Sequence, residues 1–131
     1  MPDELVMALR LLLAGALGAV IGYQRERAGK PAGLRTHMLI CVGSALFTVA
    51  SIYGFGVDIA RVAAGIVTGV GFLGAGAILH REGGIVAGLT TAATIWVSAA
   101  IGLTAGAGLY LIAAVGTAII LIVLLLPHPI Q

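Results

Sequence analysis

GIVTGVGFLGAGAILHREGG, residues Gly65 to Gly84, is the stretch whose reading decides the fold. It is apolar up to Leu79 and then turns abruptly polar. Five glycines fall within the twelve residues Gly65–Gly76. Each glycine inside a helix costs ~1 kcal/mol against alanine in water. In lipid that cost has a use, because helices there associate by close packing and small residues let backbones approach. On a helical wheel Gly65, Gly69 and Gly76 share one face with Thr68, while Gly71 and Gly74 point away from it. A helix with small residues all round is expected to be surrounded, so this segment is expected at the centre of a membrane bundle. Gly69–Gly74 also spells G-x-G-x-x-G. That fingerprint needs a preceding strand and an acid ~20 residues on, and the chain has no acid after Glu82. Nucleotide binding is not expected.

Working outward, 60% of the 131 residues are hydrophobic and 9% are charged, with mean hydropathy +1.16. Soluble domains carry about 25% charged residues. The charges cluster at residues 25–35 and 80–82, leaving long uncharged runs. The pattern is that of an all-α integral membrane protein. Neither the ~10-residue alternation of a membrane barrel nor a basic signal-peptide start is present. Five spans can be drawn, at about 5–22, 34–53, 59–79, 85–103 and 109–126. They are read as one domain, a bundle of five transmembrane helices. Arg25, Arg27, Lys30 and Arg35 in the first loop and Arg81 in the third share one side. The positive-inside rule then puts the N-terminus outside and the C-terminus in the cytoplasm.

Several residues stand out against this apolar background. Arg10 lies within the first span, and an intramembrane charge is a functional candidate by default. Either it snorkels outward or it pairs with Asp58, with Arg61 as a competitor one turn along. In the fourth span Thr90, Thr91, Thr94 and Ser98 share a face, and Trp96 lies opposite. That face is suited to interhelical hydrogen bonding or to a hydroxyl-lined path. Arg25, Glu26, Arg27, Lys30, Arg35, His37, His80, Arg81 and Glu82 form an expected cytoplasmic rim, suited to anionic lipid, within which Arg35-Thr36-His37 and Arg81-Glu82 are placed to pair with an acid or hold an anion. His37 and His80 with Glu82 match no metal template, so neither metal nor cofactor is expected. No nucleophile stands beside a base in a spaced motif, so no catalytic role is expected either. Glycines on opposite sides of the third span, Gly71, Gly74 and Gly76 among them, predict a homodimer. No nucleic-acid partner is expected.

The first loop, Tyr23-Gln24-Arg25-Glu26-Arg27-Ala28-Gly29-Lys30-Pro31-Ala32-Gly33-Leu34-Arg35-Thr36-His37, resembles the ER-x(n)-AGLRTH signature of the MgtC/SapB proteins. Gly69–Gly76 resembles that family's G-x-GFLGAG, and Gly88–Trp96 its GLTTAAT-x-W. The resemblance covers almost the whole chain, with the three motifs in order. It implies a multi-pass protein of the bacterial cytoplasmic membrane with five helices. It further implies a part in adaptation to magnesium limitation or to acid and host stress. Contact with another membrane complex is the implied mode of action, the F-type ATP synthase being one proposed target. The alternative is a homo-oligomeric conductor of ions or small solutes. The virulence members carry a soluble C-terminal domain, whereas these residues are expected to hold the transmembrane domain alone. Thr90-Thr91 stands where their motif reads Asn-Thr, and Gln24 where a glutamate is common.

Overall fold

A computed structural model describes residues 3–55, 59–79 and 88–126. Within them the chain is all helical. α1 runs over Asp3–Arg27, α2 over Leu34–Val49, α3 over Ile59–Leu79, α4 over Leu89–Gly106 and α5 over Tyr110–Leu124. α2 continues without a break into a π-helical turn, Ala50–Phe55. Four of these helices are long and apolar enough to cross a membrane, counting α2 with its π turn. α5 has 15 residues, about 22 Å at the helical rise.

The helix ends follow from local chemistry. α1 opens on Asp3 and Glu4 and closes on Arg25 and Arg27, charges that suit each end of its dipole. Gly29 then takes a left-handed conformation (φ +71°) and the Lys30 N–H donates to the Arg25 carbonyl at 3.0 Å. This 6→1 bond with a glycine just past the helix end is a Schellman stop. α4 ends the same way, with Gly108 at φ +87° and the Leu109 N–H on the Thr104 carbonyl at 3.0 Å.

The centre of the bundle is α1, α2 and α4, each packed on the other two. Small residues make it possible. A Cβ on Gly18 would sit 2.8 Å from the His37 carbonyl oxygen, and one on Gly22 would sit 2.7 Å from the Leu34 Cα. On α4, a Cβ on Gly106 would sit 2.9 Å from Ala45, and Gly102 presses directly on the Cys41 backbone. Ala14, Ile21, Cys41, Ala45, Ile101 and Ala105 fill this seam. α5 lies against α4 and α1 on one flank.

The expectation that the third span is central is corrected here. α3 packs mainly along α4, touches α2 lightly and forms the other flank. Ile66 and Val70 bury against Ile40, Ile95 and Ala99. Among the described residues, nothing lies within 4 Å of where a Cβ on Gly65, Gly69, Gly71 or Gly76 would be. Small residues permit close approach without compelling it. Two backbones close up only where both helices are small at the same level, as Gly102 and Gly106 are opposite Cys41 and Ala45.

Candidate functional site

Two polar centres occupy opposite ends of the bundle. The first lies where α1, α2 and α4 meet near the basic loop. Because α1 runs past Gly22 to Arg27, Arg25 is carried under the start of α2 and is only 2% exposed. Its Nη2 donates to the Pro31 carbonyl at 3.3 Å and to Thr91 Oγ1 on α4. A turn away, His37 is fully buried, and its Nδ1 donates to the Gly33 carbonyl at 2.9 Å. A carbonyl only accepts, so the proton on Nδ1 leaves Nε2 of a neutral ring as an acceptor. Nε2 is buried with no partner among the described residues.

α4 supplies the rest of this centre. Thr91, Thr94 and Ser98 are buried on the face turned inward, Thr90 is half-buried, and Trp96 is 52% exposed on the outer side. Thr94 Oγ1 donates to the Thr91 carbonyl at 2.8 Å, back onto its own helix. Cys41 Sγ donates to the Ser98 carbonyl at 3.2 Å. Ser98 Oγ is buried with no described partner. A buried hydroxyl left without a hydrogen bond costs roughly 1–3 kcal/mol, and the buried Thr48 and Thr117 avoid that cost by bonding carbonyls of their own helices.

The second centre is built around Arg10. Its Nε donates to the Tyr110 hydroxyl at 3.0 Å and its Nη1 to the Gly106 carbonyl at 3.2 Å. Its Cζ lies 5.4 Å from the centre of the Tyr53 ring and 5.9 Å from that of Tyr110. Arg10 therefore ties α1 to the π turn after α2, the carboxyl end of α4 and the start of α5. Gly108, held at φ +87°, leaves room for the guanidinium, since a Cβ there would lie 2.7 Å from Arg10 Nη2.

Comparison with known proteins adds the lineage. The MgtC family model matches residues 11–131. YhiD of Escherichia coli K12 is 51% identical over 129 residues, covering 92% of this chain and 60% of YhiD. The chain belongs to the MgtC/SapB family. SrpB of Synechococcus elongatus is 46% identical over 129 residues, 88% of this chain and 71% of SrpB. MgtC of Brucella abortus is 51% identical over 120 residues, 89% of this chain and 50% of the relative. The chain thus spans from half to about seven-tenths of these relatives' lengths. No solved structure matches it. With its membrane-length helices, this MgtC/SapB chain is a multi-pass protein of the bacterial inner membrane.

The three MgtC/SapB motifs converge in space. Arg25 of the first meets Thr91 of the third, and Gly74 of the second lies 3.5 Å, measured from its would-be Cβ, from Ala92 of the third. The expected rim divides. Arg35 and Thr36 are exposed, but Arg25 and His37 are interior. Glu26 is exposed, and its Oε1 accepts from the Leu34 N–H at 3.2 Å, so it caps the start of α2. Arg61 and Gly71 are exposed and Gly76 is half-buried. Asp58, Arg81 and Glu82 lie outside the described residues, and with them the Arg10–Asp58 pairing. Sequence reasoning missed Tyr53, Tyr110, Gly106 and Gly108 as partners of Arg10. Tyrosines near the ends of spans, where interfacial aromatics gather, were the available signal.

Proposed function

We propose that this chain serves adaptation to magnesium limitation or to acid and host stress, and acts by contact with other membrane proteins. The physiological half of this reading is supported by relatives, among them the E. coli K12 protein named "Putative magnesium transporter YhiD". The observation that carries the contact half is α3. A Cβ on Gly65 or Gly69 would meet nothing within 4 Å among the described residues, and both line an apolar groove of about 600 Å³ between α2 and α3, together with Leu39, Gly43, Phe47 and Leu73. Glycines such as Gly65 and Gly69, against which no described residue packs, are suited to a helix from outside the chain. A second copy is the first occupant, because a two-fold dimer needs only one self-complementary face. The N-terminus lies outside and the C-terminus in the cytoplasm, by the placement of Arg25, Arg27, Lys30 and Arg35. The F-type ATP synthase is one candidate for the complex then contacted, and anionic lipid for the exposed Arg27 and Arg35.

The test is growth of a deletion strain at low magnesium, complemented by wild type, Gly65→Leu or Gly69→Leu. The account expects folded, membrane-inserted variants that fail to complement. Full complementation by both would remove α3 as the contact.

The conductor reading is favoured by one observation, the buried Ser98 Oγ and His37 Nε2 without described partners. Against it stand the glycines that close the α1–α2–α4 seam to backbone contact. Magnesium or proton flux into liposomes containing only this protein, abolished by Thr94→Leu, would favour conduction over contact.

A further inference from the structure

We propose that the Arg10 corner is a phospholipid site, in which the guanidinium and the hydroxyls of Tyr53 and Tyr110 hold the phosphodiester of a zwitterionic headgroup. The argument starts from donors. Arginine carries five N–H groups and accepts nothing. Arg10 spends one on Tyr110 and one on Gly106, which leaves three. Its described partners are a phenol, a carbonyl and two ring faces, all of them neutral. No carboxylate among the described residues pairs with it, and the residue is partly exposed. Among the described residues this permanent cation meets no anion, and the planar fork of arginine fits two oxygens of a phosphate.

Position selects lipid over a soluble anion. α1 has 25 residues, about 37 Å, against a hydrocarbon core of about 30 Å. Arg10 is seven residues in, about 10 Å along the axis. Side chains on a helix lean toward its N-terminus, which here carries the guanidinium back toward the near boundary. The α4–α5 turn and Tyr110 lie at that same level, since Arg10 bonds both. Around the site Leu9, Leu12, Leu109 and Leu111 are exposed, so what approaches from outside is acyl chain. Tyrosines at such a boundary are interfacial anchors.

The acids select the headgroup. Asp3 lies seven residues before Arg10, two turns outward on nearly the same face, and Glu4 is beside it. Both are exposed. A headgroup with its phosphate on Arg10 and an ammonium further out matches this order of charges. An ethanolamine headgroup has that form.

The probe is phosphatidylethanolamine added to the delipidated full chain in detergent, read by native mass spectrometry and thermal melting. Diacylglycerol with the same tails serves as the headgroup-free control. Wild type should bind phosphatidylethanolamine at least about tenfold more tightly than diacylglycerol, the weight of one charge-assisted hydrogen bond. Arg10→Gln should erase that preference. Tyr110→Phe, which keeps the ring and the fold, should reduce it by a smaller factor, so the test survives if Arg10→Gln misfolds. Equal binding of the two lipids, or a preference unchanged in the folded variants, overturns the proposal. Inorganic phosphate displacing the lipid at millimolar concentration would identify a soluble-anion site and overturn it equally.

Discussion

The glycines of α1 and α4 and the glycines of α3 are the same residue in the same kind of helix, and they do opposite things. Gly18, Gly22, Gly102 and Gly106 are pressed against the backbone of α2. A Cβ on Gly65, Gly69 or Gly71 would meet nothing within 4 Å among the described residues. The difference lies in what stands opposite. α2 offers Cys41, Ala45 and the bare backbone at Leu34 to the first set, while Gly65 and Gly69 of the second line an open groove with Leu39 and Phe47. A small-residue face is therefore half of an interface, and only its complement says whether the other half is in the same chain.

The largest expected effect comes from filling the closed set. Gly102→Ala would drive a methyl into the Cys41 backbone, where neither helix can yield. It should cost about 3 kcal/mol or more, at the upper end for overpacking. Gly22→Leu should leave no folded monodisperse protein by size-exclusion chromatography in detergent. The contrast fails if these melt within a degree or two of wild type.

Next is the polar end of the same seam. Arg25→Met would leave the Pro31 carbonyl and the Thr91 hydroxyl to find other partners inside the bundle. A loss of roughly 1–3 kcal/mol is expected, seen as a lowered melting temperature, with Thr91→Val costing less because the guanidinium keeps Pro31. Equal and strictly additive losses in the double variant would mean that Arg25 and Thr91 do not interact.

α3 gives the smaller, sharper test. Gly74 alone among its glycines is buried, 3.5 Å from Ala92, whereas Ala75 is exposed. Gly74→Leu should destabilise by about 1–3 kcal/mol through overpacking, and Ala75→Leu by less than about 0.5 kcal/mol. Equal losses would place α3 differently against α4.

Much of this was legible in the sequence. Hydropathy and charge placement marked the helices, because lipid leaves a spanning chain few other choices. The spacing of Thr91, Thr94 and Ser98 against Trp96 separated the buried face of α4 from the exposed one. What the pattern could not carry was which helix stands next to which. The density of glycine in α3 suggested a centre, yet the centre formed where the sparser glycines of α1 and α4 met small residues on α2. Arg25 and His37 read as rim because charge and imidazole ordinarily stay wet. Their burial depends on α1 extending beyond Gly22 and on Gly22 admitting the start of α2, a contact twelve residues apart that no periodicity reports. The Arg10 corner was invisible for a like reason, since Tyr110 and Gly106 lie about a hundred residues away in the chain.

The most direct test of the central contrast is disulfide cross-linking in native membranes, in a Cys41→Ala background. Gly69→Cys on the open face of α3 is compared with Leu12→Cys on α1 and Ile119→Cys on α5, both exposed to lipid. The account predicts a covalent dimer on mild oxidation for Gly69→Cys, and little for the other two. Dimers forming equally at all three positions, or at Leu12→Cys and Ile119→Cys but not at Gly69→Cys, would contradict it.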